Sequence, residues 1–293
     1  MASSAARGER AGPSVAAAQD DIDSKGAQGA AGREEGAAPR EEKPKPPPRP
    51  NYFYAVQLSH EPTVRQAIEG VQTSLRAYRP RDESGNGASA GSEDPSDCDA
   101  CEPGPYAPFC VDPASAHITL AVMALETEAH VEGARRALEA AFSASDTERA
   151  TDTVSLPVRG LGTFGGREAA RVVFLEVPEG PEREWLEEVA FKVRESLLAS
   201  DIADTMKDQA FVPHCTIAKP PPPRRGRRRP PKSIPKAALG EHWEVDGGRA
   251  AIATVQLCRM SGRRPGGYYH VVTEVRVPGV GAAQAGGEAA QGV

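Results

Sequence analysis

Aromatic residues are scarce in this sequence: seven Phe, six Tyr and two Trp, 5% of its 293 residues. None lies in the first fifty positions, which hold no Cys either and close on a Lys-Pro-Lys-Pro-Pro-Pro-Arg-Pro run. Such a stretch cannot bury enough apolar surface to offset the entropy of ordering it, so residues 1–50 are expected to form a disordered tail. Residues 279–293, built largely from Gly, Ala and Gln, read as a second. Long apolar runs are missing as well. Nothing approaches the roughly 18 residues a membrane span needs, and the N-terminus lacks the apolar segment of a secretory signal. Asp20, Asp21, Asp23, Glu34 and Glu35 argue against an organelle transit peptide. Five cysteines, an odd number at scattered spacing, make no disulfide framework and point to a reducing compartment, cytoplasmic or nuclear. Positive charge is not in excess: the net charge of -6 excludes a uniformly basic nucleic-acid coat protein. What remains is a folded region of roughly 230 residues, enough for one domain or a two-lobed one.

Within it, apolar periodicity marks the elements. Asn51 to Ser59 alternates Tyr52, Tyr54, Val56 and Leu58 against Phe53, Ala55 and Gln57, a strand with two dressed faces. Val64, Ala67, Ile68, Val71 and Leu75 recur at helical spacing between Thr63 and Tyr78, and Pro80 stops that helix. Residues 81–112, acidic and rich in Gly and Ser, read as an inserted surface loop. A strand from Ala116 to Leu125 precedes a helix from Glu128 to Phe142. Strands at Val154–Val158 and Arg171–Val177 flank a Gly-Leu-Gly-Thr-Phe-Gly-Gly stretch, read as a tight turn whose glycines supply positive φ. It lacks the Lys-Ser/Thr of a phosphate-binding P-loop. A helix over Arg183–Leu198, a strand over Phe211–Lys219, a Pro/Arg run at 220–235 and strands at Ala251–Met260 and Tyr268–Val277 complete the order. Helices and strands mix without strict alternation, so the fold class is α+β with mixed sheets expected.

Two segments share one pattern: His117-Ile118-Thr119-Leu120 and His214-Cys215-Thr216-Ile217. On a strand, residues two apart face the same way, so each segment presents an imidazole and a hydroxyl on one side. A lone His-x-Thr is ordinarily a strand histidine with a satisfied hydrogen bond. Two copies in matching settings allow two histidines and two threonines to converge. That set suits phosphoryl chemistry without a metal, because one imidazole can take a proton from the nucleophile while the other protonates the leaving oxygen. An ordinary histidine pKa near 6.5 serves either role and leads to a bell-shaped pH dependence. Thr119 and Thr216 can hold the non-bridging phosphate oxygens. Neither motif contains a carboxylate, so no metal and no cofactor is expected.

These residues resemble the 2H phosphoesterases, named for two His-x-Thr/Ser motifs, and in particular the domain found in A-kinase anchoring proteins. The resemblance spans residues 51–278. It rests on Asn51-Tyr52-Phe53, on His117-Ile118-Thr119-Leu120 with Val122-Met123, and on Leu156-Pro157 with the glycine-rich stretch from Gly160 to Gly165. Phe211-x-Pro213-His214-x-Thr216 and Gly267-Tyr268-Tyr269-His270 complete it. It implies a bilobal, LigT-like fold in which two pseudo-symmetric lobes meet at a groove, each contributing one His-x-Thr strand. It also implies catalytic roles for His117 and His214, phosphate binding by Thr119 and Thr216, and a nucleotide or short RNA as substrate. Family members cleave or bind ribose phosphodiesters, including 2′,3′-cyclic phosphates and 2′-5′ or 3′-5′ linkages. The alternative is a non-catalytic module that senses a mononucleotide such as AMP or CMP in the same groove. The resembled proteins also anchor a kinase through an amphipathic helix outside this domain. Neither tail here offers an apolar stripe, so kinase anchoring is not expected, and a monomer is.

Other features carry less. Tyr268 and Tyr269 can stack on a base, although aromatic strand positions are more often core. The cluster Arg224, Arg225, Arg227, Arg228, Arg229 and Lys232 can contact RNA phosphates or serve as a nuclear localisation signal, against the plainer reading of a solvated loop. Cys98-x-x-Cys101 with Cys110 has only partial zinc spacing. His60, His130 and His242 read as surface residues without partners.

Overall fold

The computed structural model describes residues 48–80, 104–142, 153–206, 208–222, 230–263 and 266–279. Almost all of both expected tails, Cys98 and Cys101, and Arg224 to Arg229 lie outside the described residues. From Pro48 onward the chain forms one compact unit. Its strands are β1 (Tyr52–Gln57), β2 (His117–Met123), β3 (Val154–Arg159), β4 (Leu161–Phe164), β5 (Ala169–Ala170), β6 (Val172–Glu176), β7 (His214–Ala218), β8 (Ile234–Pro235), β9 (Asp246–Ile252), β10 (Thr254–Arg259) and β11 (His270–Arg276). Helices α1 (Pro62–Ala77), α2 (Glu128–Ala140) and α3 (Pro181–Ala199) complete the α+β fold.

A seven-stranded sheet in the order β11-β10-β1-β2-β7-β6-β4 is the frame. Where mixed sheets were expected, every described pairing is antiparallel. The two halves of the sheet are joined by a single register pair, Ile118 with Cys215. The motif strands β2 and β7 are therefore the central pair, one from each half.

The helices cover one face of this sheet. Pro62 opens α1 at its first turn, where a missing N–H costs nothing, and Val64, Ala67, Ile68, Val71 and Leu75 are buried as the spacing predicts. Thr127 caps α2 by accepting from the His130 backbone N–H. Trp185, Leu186, Val189, Val193 and Leu197 bury one stripe of α3. The alternation in β1 is sorted accordingly: Tyr54 and Val56 join the main core, while Phe53 and Ala55 join a smaller cluster with Cys258 on the opposite face.

Two expectations need correction. The glycine-rich stretch is no simple turn: Leu161–Phe164 is strand β4, paired with β6. Positive φ is confined to its ends, at Gly160, Gly165 and Gly166. Gly162 is needed for space, since a Cβ there would overlap the Phe174 ring and lie 2.6 Å from Glu176 Oε1. The end of the stretch read as a surface loop at 81–112 is also built into the fold. Tyr106 and Phe109 are buried, the Val111 N–H donates to the Ile217 carbonyl, and Lys219 N–H to that of Phe109. Gln72 of α1 locks this ladder, its Nε2 donating to the carbonyls of Val111 and Ile217. Two aromatics in a Gly/Ser-poor terminus supply the burial.

Candidate functional site

The pairing of Ile118 with Cys215, both fully buried beneath the sheet, fixes what lies on the other face. Continued one residue each way, the antiparallel register puts His117 opposite Thr216 and Thr119 opposite His214. The four motif side chains thus form a two-by-two array with the histidines on one diagonal. Facing positions have Cβ atoms about 5 Å apart and diagonal ones roughly 7–8 Å. That spacing lets two imidazoles approach one phosphorus from opposite sides, with a hydroxyl beside each.

Each imidazole is held the same way. Nδ1 of His117 lies 2.6 Å from the Ser115 carbonyl and Nδ1 of His214 lies 2.7 Å from the Val212 carbonyl. A carbonyl only accepts, so both Nδ1 atoms carry the proton and both Nε2 lone pairs are left for the groove. The rings are packed alike too. His117 lies 4.9 Å from the Phe53 ring and meets Tyr269 edge-on at 5.3 Å. His214 lies 5.2 Å from Phe174 and meets Phe164 edge-on at 5.0 Å. Strands β1 and β6 thus supply equivalent aromatic walls.

This packing changes the acid–base expectation. Desolvation pushes His117 from 6.5 down to about 4, against the opposing pull of the Ser115 carbonyl, and the charges of Lys219 and His214 lower it further. Desolvation also lowers His214, with Lys219 adding to it. In the free groove His117 is therefore neutral at pH 7, rather than poised near its ordinary value.

Lys219 is a neighbour of both histidines that the motifs did not reveal. It is exposed one residue beyond β7, its backbone anchored on Phe109, and its charge acts on both imidazoles. Asp112 is a second residue that they did not reveal. Its Oδ1 accepts from Ala114 N–H at the turn that presents the Ser115 carbonyl to His117. Its Oδ2 accepts from Arg263 Nη1 at 2.7 Å and Gly266 N–H at 3.0 Å, tying down the loop that leads to Tyr269. Arg263 and these backbone donors outweigh desolvation and hold the carboxyl below its usual range. No local pattern flags Asp112 or Lys219, because their roles depend on contacts with distant parts of the chain.

The remaining sequence candidates are sorted plainly. Tyr269 forms part of the wall around His117, whereas Tyr268 turns a buried hydroxyl inward beside Cys258. His270 is exposed. His60 and His242 have partners after all, because turns bring remote groups to them: the Ala251 carbonyl at 3.0 Å and the Ser74 hydroxyl at 2.8 Å. Among the described residues no group of three or more His, Cys, Asp or Glu gathers as a metal set would. No described helix is long and apolar enough to cross a membrane.

Comparison with solved structures finds similar chains. TT0787 of Thermus thermophilus is 22% identical, with 78% of this chain and 98% of that one covered at a TM-score of 0.44. Escherichia coli LigT complexed with 3′-AMP is 18% identical, with 78% and 99% covered at 0.45. A search of curated proteins returns no match. The family model described as the AKAP7 2′5′ RNA ligase-like domain matches residues 50–277, from just before β1 to just after β11, and the chain belongs to this family, within the 2H phosphoesterase class.

Proposed function

We propose that the protein is a metal-independent phosphodiesterase acting on a ribonucleotide phosphodiester, either a 2′,3′-cyclic phosphate or a short 2′-5′ or 3′-5′ oligoribonucleotide. The observation that carries this reading is the diagonal array of two histidines, each with Nδ1–H spent on a carbonyl and Nε2 left for the groove. One neutral imidazole takes a proton from water at Nε2 as the water oxygen attacks phosphorus. The other, protonated, gives its Nε2 proton to the departing ribose oxygen as the P–O bond breaks. Thr119, Thr216 and Lys219 face the non-bridging oxygens, whose charge must be held through the transition state.

The lowered proton affinity of both imidazoles fits this scheme once substrate is counted. A bound phosphodiester brings a negative charge between them, which offsets desolvation and favours the cation that must serve as acid. Protonation of that imidazole is then coupled to binding. The test is a turnover panel of 2′,3′-cyclic nucleotides and 2′-5′ and 3′-5′ dinucleotides in excess chelator. Activity should persist there and gain nothing from Mg²⁺ or Mn²⁺. Loss in chelator with recovery on adding a divalent ion would reassign the histidines as metal ligands. Tight nucleotide binding with no turnover of any panel member would instead favour a sensor module.

A further inference from the structure

The groove face beside the His117 motif is not uniform. Across the sheet from Thr119 the register runs through Ala55 and Gln256 to Glu274, and Gln57 lies directly opposite His117. On the side of Phe53, Cys258 and Tyr269 this face is aromatic and apolar. On the side of Gln57 and Gln256 it carries amides. Those amides line a cavity of about 180 Å³ together with His60, Thr254 and the chain around Ala253.

Gln256 is the unusual member. It is 7% exposed, and its Nε2 donates to Gln57 Oε1 at 3.4 Å and to Glu274 Oε2 at 3.1 Å. Both partners only accept, so the amide cannot be turned round without setting oxygen against oxygen. Its Oε1 is consequently left buried with no donor. Buried polar atoms are ordinarily paired, and an orphan acceptor two strands from Thr119 in the same register row invites a donor from outside. Gln57 donates through Nε2 to Ser59 Oγ at 2.8 Å, which leaves that amide one further N–H. One free acceptor and one further donor, on amides that touch through the 3.4 Å Gln256–Gln57 contact, complement the donors and acceptors on the edge of a heteroaromatic base.

We propose that Gln57 and Gln256 form a nucleobase-reading subsite, which holds the hydrogen-bonding edge of the base belonging to the nucleoside on the His117 side of the scissile phosphate. This rests on the reading of the groove as a ribonucleotide site and adds the specificity residues to it. A phosphate or ribose alone fills the array of His and Thr but leaves Gln256 Oε1 unpaired. A base brings the missing N–H.

The test is calorimetric binding of 3′-AMP and of its base-free counterpart, ribose 3-phosphate, to the full chain and to Gln256→Leu and Gln57→Leu. The wild-type protein should prefer 3′-AMP by about tenfold or more, the discrimination expected when a buried polar group is left unpaired by the lesser ligand. Gln256→Leu should lose most of that preference and Gln57→Leu part of it, with melting curves confirming that both variants fold. A preference that survives in both variants, or its absence from the wild-type protein, overturns the proposal. Wild-type protein that binds 3′-AMP preferentially yet cleaves nothing in the turnover panel would sink the catalytic reading alone. Protein that binds neither probe contradicts both.

Discussion

Replacing His117 with Gln should make the protein less sensitive to acid, because the native imidazole resists protonation. Unfolded, this histidine gains a proton as pH falls through its ordinary value of 6.5; folded, it holds out to about 4. Between those limits the unfolded state binds more protons, so stability falls with falling pH and is fully recovered above 6.5. A displacement from 6.5 to about 4 corresponds to roughly 3 kcal/mol over the window. For a domain of this size that is on the order of 6–12 °C in melting temperature. His214 adds to the same trend, and so do carboxylates held below their usual range, such as Asp112. The comparison therefore has to be differential: urea unfolding of wild type and His117→Gln at intervals from pH 7.5 to 4.5. The gap between the two curves should be flat at the alkaline end and widen toward acid, with the variant losing less. A gap that does not change with pH would refute the desolvation argument. The imidazole would then not be held neutral by its surroundings, and the coupling of its protonation to phosphate binding would lose its basis.

Gly162→Ala should lower both stability and turnover. Its Cβ meets the Phe174 ring that packs on His214, and overpacking of this kind costs about 1–3 kcal/mol, read as a depressed melting temperature. A variant with unchanged melting temperature and kcat/KM would contradict the packing argument. Lys219→Met should weaken binding of inorganic phosphate and raise the proton affinity of both imidazoles, seen by NMR titration of the histidine ring protons. Unshifted titrations would place the ammonium too far away to matter.

Much of this frame can be read from local pattern. The buried stripe of α1 follows its spacing, because burial of one helix face is a local demand. The two His-x-Thr strands are equally visible as sequence, and a period of two places each His and Thr on one face. What the pattern does not contain is how the strands meet. The crossing of His117 with Thr216, and of His214 with Thr119, comes from the Ile118–Cys215 register alone. Gln57 and Gln256 belong to strands almost two hundred positions apart in sequence, and only sheet order makes them neighbours. The glycine-rich stretch misled for a related reason: composition suggests a turn, whereas Gly162 is dictated by a ring on the neighbouring strand. Nor is proton affinity legible in the motifs, since desolvation between aromatic walls depends on packing from β1, β4, β6 and the segment before β11.

The central claim is that two histidines share the proton transfers, and the most direct test is kcat/KM for His117→Ala, His214→Ala and the double variant on a cleaved 2′,3′-cyclic nucleotide or dinucleotide. Each single variant, folded as judged by its melting curve, should lose about 10²- to 10⁴-fold. The double variant should fall little below the worse single one, since the pair acts as a unit. A folded single variant that keeps near wild-type kcat/KM would contradict the two-histidine mechanism.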